Sequence, residues 1–354
     1  MSTTTPAWQS TGDSAKLRRV QIERRELRPN DIAVQVGFCG VCHSDLHAIR
    51  GDTPHLSDAG GLVPGHEFTG TVTAVGAAVT RFAVGDPVAV GTLVDSCGEC
   101  DMCRIGQENF CYLGPVSTYG GKDRIDGTVT KGAYSRGYVL AERFAYRLPD
   151  TLDPAAAAPL MCAGITMWEP LRAAGVGPGS RVAIAGLGGL GHLGVKLAAA
   201  LGADVTVLSR TAEKAEDARA LGADGFLSTN DDEQLRHARG RFDLILDTIS
   251  ADHDLSPLLR LLGLDGTLFV LGNPLLNGPR ILELTAGRKK LTSSGTGGTA
   301  GTAAMLAFCA ERDITADVEI LPSVHVNEAL ARLEEGDVRY RFVLDMSDLE
   351  NAEP

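Results

Sequence analysis

The sequence has no run approaching the roughly 20 consecutive apolar residues that a membrane-spanning helix requires, so no membrane partner is expected. Positive charge is also scarce. Lys and Arg number 33 against 45 Asp and Glu, a formal charge of −12, which argues against binding a nucleic-acid backbone. The opening stretch Met1 to Pro6 carries neither the basic nor the apolar region of a secretory leader. A cytoplasmic, thiol-reducing compartment is therefore expected, one in which disulfides are rare. Low-complexity tracts and internal repeats are missing as well. What is present, 354 residues with 44% hydrophobic and 22% charged content, suits two ordinary-sized domains, each with its own core.

Cysteine is the informative residue. Of eight, four fall within fifteen positions: Cys97, Cys100, Cys103 and Cys111. Three closely spaced thiols can surround one ion from a tight loop, and the fourth closes a tetrahedron. Zn²⁺ favours such an all-thiolate shell, and a closed shell leaves no room for substrate, so the cluster reads as a structural metal site. Two disulfides are the alternative. Cys309 sits in an apolar helical pattern and reads as a small buried hydrophobe. Cys39, Cys42 and Cys162 remain.

Between about Leu27 and Val90, short apolar segments are broken by Gly, Pro and Asp. Alternation and β-branching mark 32–36, 69–75 and 87–90 as strands, with more strand-like sequence from Gly132 to Leu148. An antiparallel, partly barrel-shaped domain is expected. After Pro149 the texture changes. Ala-rich helical stretches alternate with apolar strands at 181–185, 204–208, 242–246 and 267–271, the pattern of βαβ units around a parallel sheet. The alternation ends near Gly295, and the helix-like 326–333 and strand-like 341–344 fit the first domain better. The expected organisation is a discontinuous first domain, 1–154 and 298–354, with a dinucleotide-binding domain, 155–297, inserted in it.

Gly186-Leu187-Gly188-Gly189-Leu190-Gly191 directly follows the strand at 181–185 and opens a helical run to Ala200. A bare structural turn is possible, but the strand–turn–helix context points to a dinucleotide. Gly186 permits the tight turn, Gly188 lets backbone approach a pyrophosphate, and Gly191 lets helix and sheet pack closely. The helix N-terminus offers N–H donors to phosphate. The next strand ends in Ser209-Arg210-Thr211, with Lys214 a turn later, where an NAD site carries a carboxylate. Hydroxyls and cations there suit a 2′-phosphate, which makes NADP(H) the expected cofactor, although a merely solvated basic end reads the same.

Three further motifs contain chemistry-bearing residues: Cys42-His43-Ser44-Asp45 with His47, His66-Glu67, and Cys162. Cys42, His66 and Cys162 form a Cys-His-Cys set of the kind a catalytic zinc uses, with a fourth position open. Spacing alone does not bring them together.

Taken jointly, these motifs, the cysteine cluster, the glycine turn and the ending Asp337 to Asp345 resemble the zinc-dependent medium-chain alcohol dehydrogenases, most nearly the cinnamyl alcohol dehydrogenase-like branch. The similarity runs from about residue 27 to 346. It implies an α/β chain with a GroES-like β-rich catalytic domain and a Rossmann doubly wound parallel-sheet domain, assembled as a homodimer. It also implies two zinc ions per chain. Cys42, His66 and Cys162 would hold the catalytic ion, with Glu67 as an alternate ligand, and Cys97, Cys100, Cys103 and Cys111 the structural one. Asp45 would orient His66. Ser44 and His47 match a proton relay that passes through the nicotinamide ribose, His43 a position near the pyrophosphate, and Thr166 one near the nicotinamide.

The implied activity is hydride transfer between NADP(H) and a carbonyl or alcohol substrate, a cinnamyl-type aldehyde or a larger carbonyl compound, with zinc as Lewis acid and a hydroxyl–imidazole relay for the proton. The pocket positions depart from the family pattern. Gly295 and Thr296 stand where bulkier residues are common, and Thr53-Pro54-His55 where a Trp often lies, while Trp168 lies just beyond Cys162. An altered pocket is expected, with the particular aldehyde unreadable. Reduction of a conjugated C=C or iminium bond is a second enzymatic reading. A non-catalytic NADPH-binding protein is a third, disfavoured because all three catalytic ligands are present.

Overall fold

The computed structural model describes residues 3–10, 16–52, 61–272 and 281–350. Chain contacts divide it into two units, Met1–Cys162 with Gly297–Pro354, and Ala163–Thr296.

In the first unit the alternation at Ile32, Val34 and Val36 becomes the central strand Asp31–Gly40, with those three residues buried and Ala33 and Gln35 half-buried. This strand pairs antiparallel with Phe68–Val75, Gly137–Ala141 and Arg341–Asp345. Pro87–Val90 and Ala145–Arg147 extend the sheet on one side, and Val318–Pro322 lies parallel to Arg341–Asp345 on the other. Ile32, Phe68, Phe144 and Phe342 are fully buried in the core that results. A hairpin, Thr3–Ser10 with Leu17–Arg24, precedes the sheet and has no counterpart among the sequence-based expectations.

The register of this sheet brings two distant segments of the chain together. Cys39 stands opposite Phe68, and Gly40 N–H donates to Glu67 O at 2.8 Å. One strand therefore delivers Cys42 just past its end, while its neighbour begins immediately after His66 and Glu67. The two segments meet because the strands are antiparallel.

The second unit is a six-stranded, all-parallel sheet ordered Gly225–Ser228, Asp204–Ser209, Arg181–Ala185, Phe242–Asp247, Leu262–Val270, Lys290–Ser293. This is the doubly wound dinucleotide-binding order. Two of its strands, Gly225–Ser228 and Lys290–Ser293, were not legible as strands. Both are short, lie at sheet edges and have no fully buried residue, so neither presents an apolar run.

The unit boundaries differ from the sequence expectation by a few residues. The Ala-rich texture of residues 155–162 suggests that they belong to the inserted domain. Instead they pack with the first unit: Ala316 N–H donates to Ala156 O at 3.1 Å, and a Cβ at Gly91 would lie 2.8 Å from Met161 O. Gly297 likewise belongs to the first unit. Cys309 is fully buried in the helix Thr299–Arg312, where burial pushes its thiol up to about 12. Among the described residues no helix is long and apolar enough to cross a membrane.

Candidate active site

The first unit brings Cys42, His66 and Cys162 together: one donor atom from each lies within 4.8 Å of the others. His66 Nε2 and Cys162 Sγ are 3.2 Å apart. Cys42 caps the helix His43–Arg50 reciprocally, its own N–H donating to Asp45 Oδ2 at 3.1 Å. Asp45 is fully buried and accepts three further hydrogen bonds, from Gly65 N–H at 3.0 Å, Tyr134 Oη at 3.2 Å and His66 Nδ1 at 3.0 Å. The last contact holds a proton on Nδ1 and turns Nε2 toward the sulfurs. Gly65 has φ of +98°, and a Cβ there would lie 2.6 Å from Tyr134 Cδ1. Only glycine lets the chain pass Tyr134 and reach Asp45.

The two sulfurs differ sharply. Cys162 donates to Cys42, which holds the Cys42 thiol well below its ordinary range and Cys162 well above it. Burial disfavours a charge on His66, and Asp45 overcomes it, so His66 lies above the usual imidazole range. Glu67, the next residue, is fully buried. Its side chain lies over Gly40, where a Cβ would come within 2.5 Å of Oε1, and its carboxyl pairs with the Arg341 guanidinium. Burial pushes Glu67 up to about 8 against the opposing pull of Arg341. Its second oxygen, Oε2, is buried without a partner.

Two sulfurs and an imidazole nitrogen on one side of a buried centre match the donor set of an open zinc site. An orphaned carboxylate oxygen nearby is what an alternate ligand would leave when withdrawn. Ser44 Oγ lies 3.7 Å from Cys42 Sγ, and Tyr119 donates to Ser44 O at 3.3 Å with its ring 5.7 Å from that of His66. His47 Nδ1 faces Asp52 Oδ2 at 3.0 Å, with both side chains substantially exposed. His43 is exposed at the first position of the same helix. Tyr119, Tyr134, Asp52, Gly40 and Arg341 have no role that the sequence pattern alone reveals. Arg341 lies within the C-terminal motif, but nothing in spacing links it to Glu67.

The four-cysteine lobe forms a second centre, with all four sulfurs within 4.8 Å of one another. Cys97 Sγ is 3.7 Å and Cys100 Sγ 3.5 Å from Cys103 Sγ, far beyond a disulfide bond and near the ~3.8 Å between sulfurs on a tetrahedral zinc. All eight cysteines are unpaired, which removes the disulfide alternative. Backbone N–H groups at Cys100 and Glu99 draw the Cys97 thiol down, and those at Cys103 and Tyr112 do the same for Cys100. Burial pushes Cys103 up to about 11.

In the second unit, Gly186 has φ of +92° and a Cβ at Gly191 would lie 2.1 Å from Gly186 O, so both glycines are required by the turn. His192 N–H donates to Gly188 O at the start of the helix Gly191–Ala200. Ala185 stands opposite Leu208, which places the glycine turn beside Ser209. Ser209 Oγ accepts from Thr211 N–H at 3.2 Å, Arg210 is exposed, and Lys214 Nζ donates to Leu187 O at 3.1 Å. Leu187, Gly188, Gly189 and Leu190 complete the turn. Thr166 lies on the helix Ala163–Ala173, as does Trp168, which is buried under Arg172 and is not a free pocket side chain. A Cβ at Gly295 would meet open space. Thr53, Pro54 and His55 lie outside the described residues.

Comparisons with known proteins agree with this reading. Residues 28–150 match the alcohol dehydrogenase GroES-like domain and residues 189–311 the zinc-binding dehydrogenase family. The chain is 47% identical over 351 residues to NADP-dependent alcohol dehydrogenase C 1 of Mycolicibacterium smegmatis, covering 98% of this chain and 99% of that protein. Among solved structures it is similar to a cinnamyl alcohol dehydrogenase of Sorghum bicolor, with TM-score 0.93, 40% identity and 99% of each chain covered. It is also similar to the CAD of Helicobacter pylori complexed with NADP(H), with TM-score 0.89 and 30% identity over 98% of this chain and 99% of that one.

Cys100→Ser should lower the bound zinc from two ions per chain to one and lower the unfolding temperature. The remaining zinc and its chemistry should persist at temperatures where the variant is folded. Metal analysis with a thermal melt checks this; a variant that kept both ions would refute a four-thiolate metal site.

Proposed function

The chain belongs to the zinc-dependent alcohol dehydrogenases, and we propose that it interconverts aldehydes and alcohols with NADP(H) at the Cys42-His66-Cys162 centre. The convergence of these three donors, with Asp45 behind His66, is the observation that carries the reading. A zinc ion held by Cys42, His66 and Cys162 would supply a Lewis acid for the substrate oxygen. NADPH would supply the hydride.

The chain's own residues account for the rest. Asp45 keeps the His66 ring oriented, and Arg341 holds Glu67 over Gly40 in its withdrawn position. Ser44 Oγ, beside Cys42 Sγ, exchanges a proton with the reacting oxygen. His47, partly exposed and backed by Asp52, passes protons to and from water. In the second unit Gly186, Gly188 and Gly191 admit the pyrophosphate, while Ser209, Arg210, Thr211 and Lys214 receive the 2′-phosphate. His43 and Thr166 are assigned to the pyrophosphate and the nicotinamide.

Two supporting features extend the reading. Eight unpaired thiols fit a reducing, cytoplasmic setting. The strand Lys290–Ser293 ends its sheet with no neighbour on its outer side among the described residues, an edge open to a second copy of the chain.

With NADPH and an α,β-unsaturated aldehyde, the product should be the allylic alcohol, and NADH should support the reaction less well. A saturated aldehyde would instead favour conjugate reduction, and a preference for NADH would overturn the 2′-phosphate assignment. Ser44→Ala should lower kcat by about 10²-fold while zinc content and NADPH affinity stay unchanged; full activity would remove Ser44 from the relay. Sedimentation should give a dimer, and Thr292→Pro, which breaks the edge strand, should shift it to monomer. A wild-type monomer at micromolar concentration would refute the homodimer.

A further inference from the structure

Winding of the six-stranded sheet reverses between Arg181–Ala185 and Phe242–Asp247. In such sheets a ligand occupies the crevice beyond the carboxyl ends of the two strands at the reversal. The glycine turn after Ala185 forms one wall. The other wall is the segment that follows Asp247, and none of its residues has a role in the function above.

This segment is unusually constrained. Thr248 N–H and Oγ1 both donate to Ala185 O, at 2.9 and 2.8 Å, and Oγ1 lies 3.3 Å from Gly186 O. A Cβ at Gly186 would lie 2.8 Å from Thr248 Oγ1, and one at Gly272 would lie 2.1 Å from Ile249 O. Thr248 and Ile249 are therefore wedged between the bare backbones of two glycines that follow the strands on either side of Phe242–Asp247. Asp247 closes the loop from below. It is fully buried, its Oδ1 accepts from Ile249 N–H at 3.1 Å, and its Oδ2 faces His253 Nε2 at 2.9 Å. His253 Nδ1 faces Ala251 O at 2.8 Å. Both ring nitrogens face an oxygen, so the imidazole bridges the loop.

A buried carboxyl at this place is expensive to keep. Burial pushes Asp247 up, and only the Ile249 N–H and His253 oppose it. Core packing alone would be served by an apolar side chain. The pair instead fixes the path of the two residues that border the crevice.

The strand order also says which part of the cofactor they border. Asp204–Ser209, with the residues assigned to the 2′-phosphate, lies on one side of Arg181–Ala185, and Phe242–Asp247 lies on the other. With the pyrophosphate at the glycine turn, the nicotinamide half falls on the Asp247 side. We propose that Asp247 and His253 are positioning residues for the nicotinamide half of the dinucleotide, acting by clamping Thr248 and Ile249 at the crevice. This rests on the NADP(H) reading above.

Two ligands separate the halves: NADPH spans both, while adenosine 2′,5′-bisphosphate engages only the Ser209–Lys214 side. Fluorescence and calorimetric titration of the full-length protein should show both binding to wild type. His253→Ala should weaken NADPH by about tenfold and leave the bisphosphate unchanged, because a buried hydrogen bond that orders the nicotinamide wall is lost. His253→Gln, which keeps a donor toward Asp247, should recover part of the affinity. Asp247→Asn, which preserves shape, should weaken NADPH in the same selective way and serves should His253→Ala fail to fold. Equal weakening of both ligands would make the pair a general brace and overturn the proposal, as would unchanged NADPH affinity in both His253→Ala and Asp247→Asn. Wild-type protein that bound neither ligand would overturn the NADP(H) reading itself before any variant is compared.

Discussion

The catalytic centre depends on one buried carboxyl group. Asp45 accepts from the Cys42 and Gly65 backbones, from Tyr134 and from His66, so a single side chain ties together the helix start, the turn before His66 and the ligand ring. Each of these donors is buried, and leaving one unsatisfied costs roughly 1–3 kcal/mol. The same contact decides the His66 tautomer, which turns Nε2 toward Cys162. Geometry and protonation at the centre thus have one common cause. Gly65 belongs to this arrangement as much as the polar groups do, because no other residue could pass Tyr134 at that φ.

Neighbouring positions on one chain segment take opposite roles around this hub. His66 joins the sulfurs, while Glu67 lies over Gly40 and pairs with Arg341, a strand 274 residues away in sequence. The cation of Arg341 balances a centre otherwise rich in acidic groups and sulfur, and Glu67 together with the two thiols raises its pKa further against the effect of burial. The four-cysteine lobe has a different chemistry. Its sulfurs are held by backbone N–H groups close to the surface, with no comparable buried ion pair among them. The first arrangement offers three donors and the second four, which is the difference the proposed reactive and structural roles rest on.

In the dinucleotide unit the same logic works through backbone and not through charge. Missing side chains at Gly186, Gly191 and Gly272 let three strand ends approach one another, and the loop after Asp247 fills the space they leave. Lys214 illustrates how the fold constrains a residue that sequence marks only as basic. Its ammonium group is anchored on Leu187 O, which holds it at the glycine turn beside the serine and arginine assigned to the 2′-phosphate.

Sequence alone was sufficient wherever the chemistry is local. Four cysteines within fifteen residues can meet because the chain between them is short, and a glycine turn between a strand and a helix is set by adjacent residues alone. The alternation at Ile32, Val34 and Val36 announced a strand because its buried face is decided by period two. Where alternation was absent, as at Gly225–Ser228 and Lys290–Ser293, edge strands went unseen. The meeting of His66 with Cys162, 96 residues apart, was supplied by resemblance and not by spacing. Tyr119, Tyr134, Arg341 and the Asp247–His253 pair were invisible, since each acts through contacts that sequence spacing does not encode. Only the tertiary structure decides those contacts, because they depend on strand register and strand order, and no local run of residues specifies either.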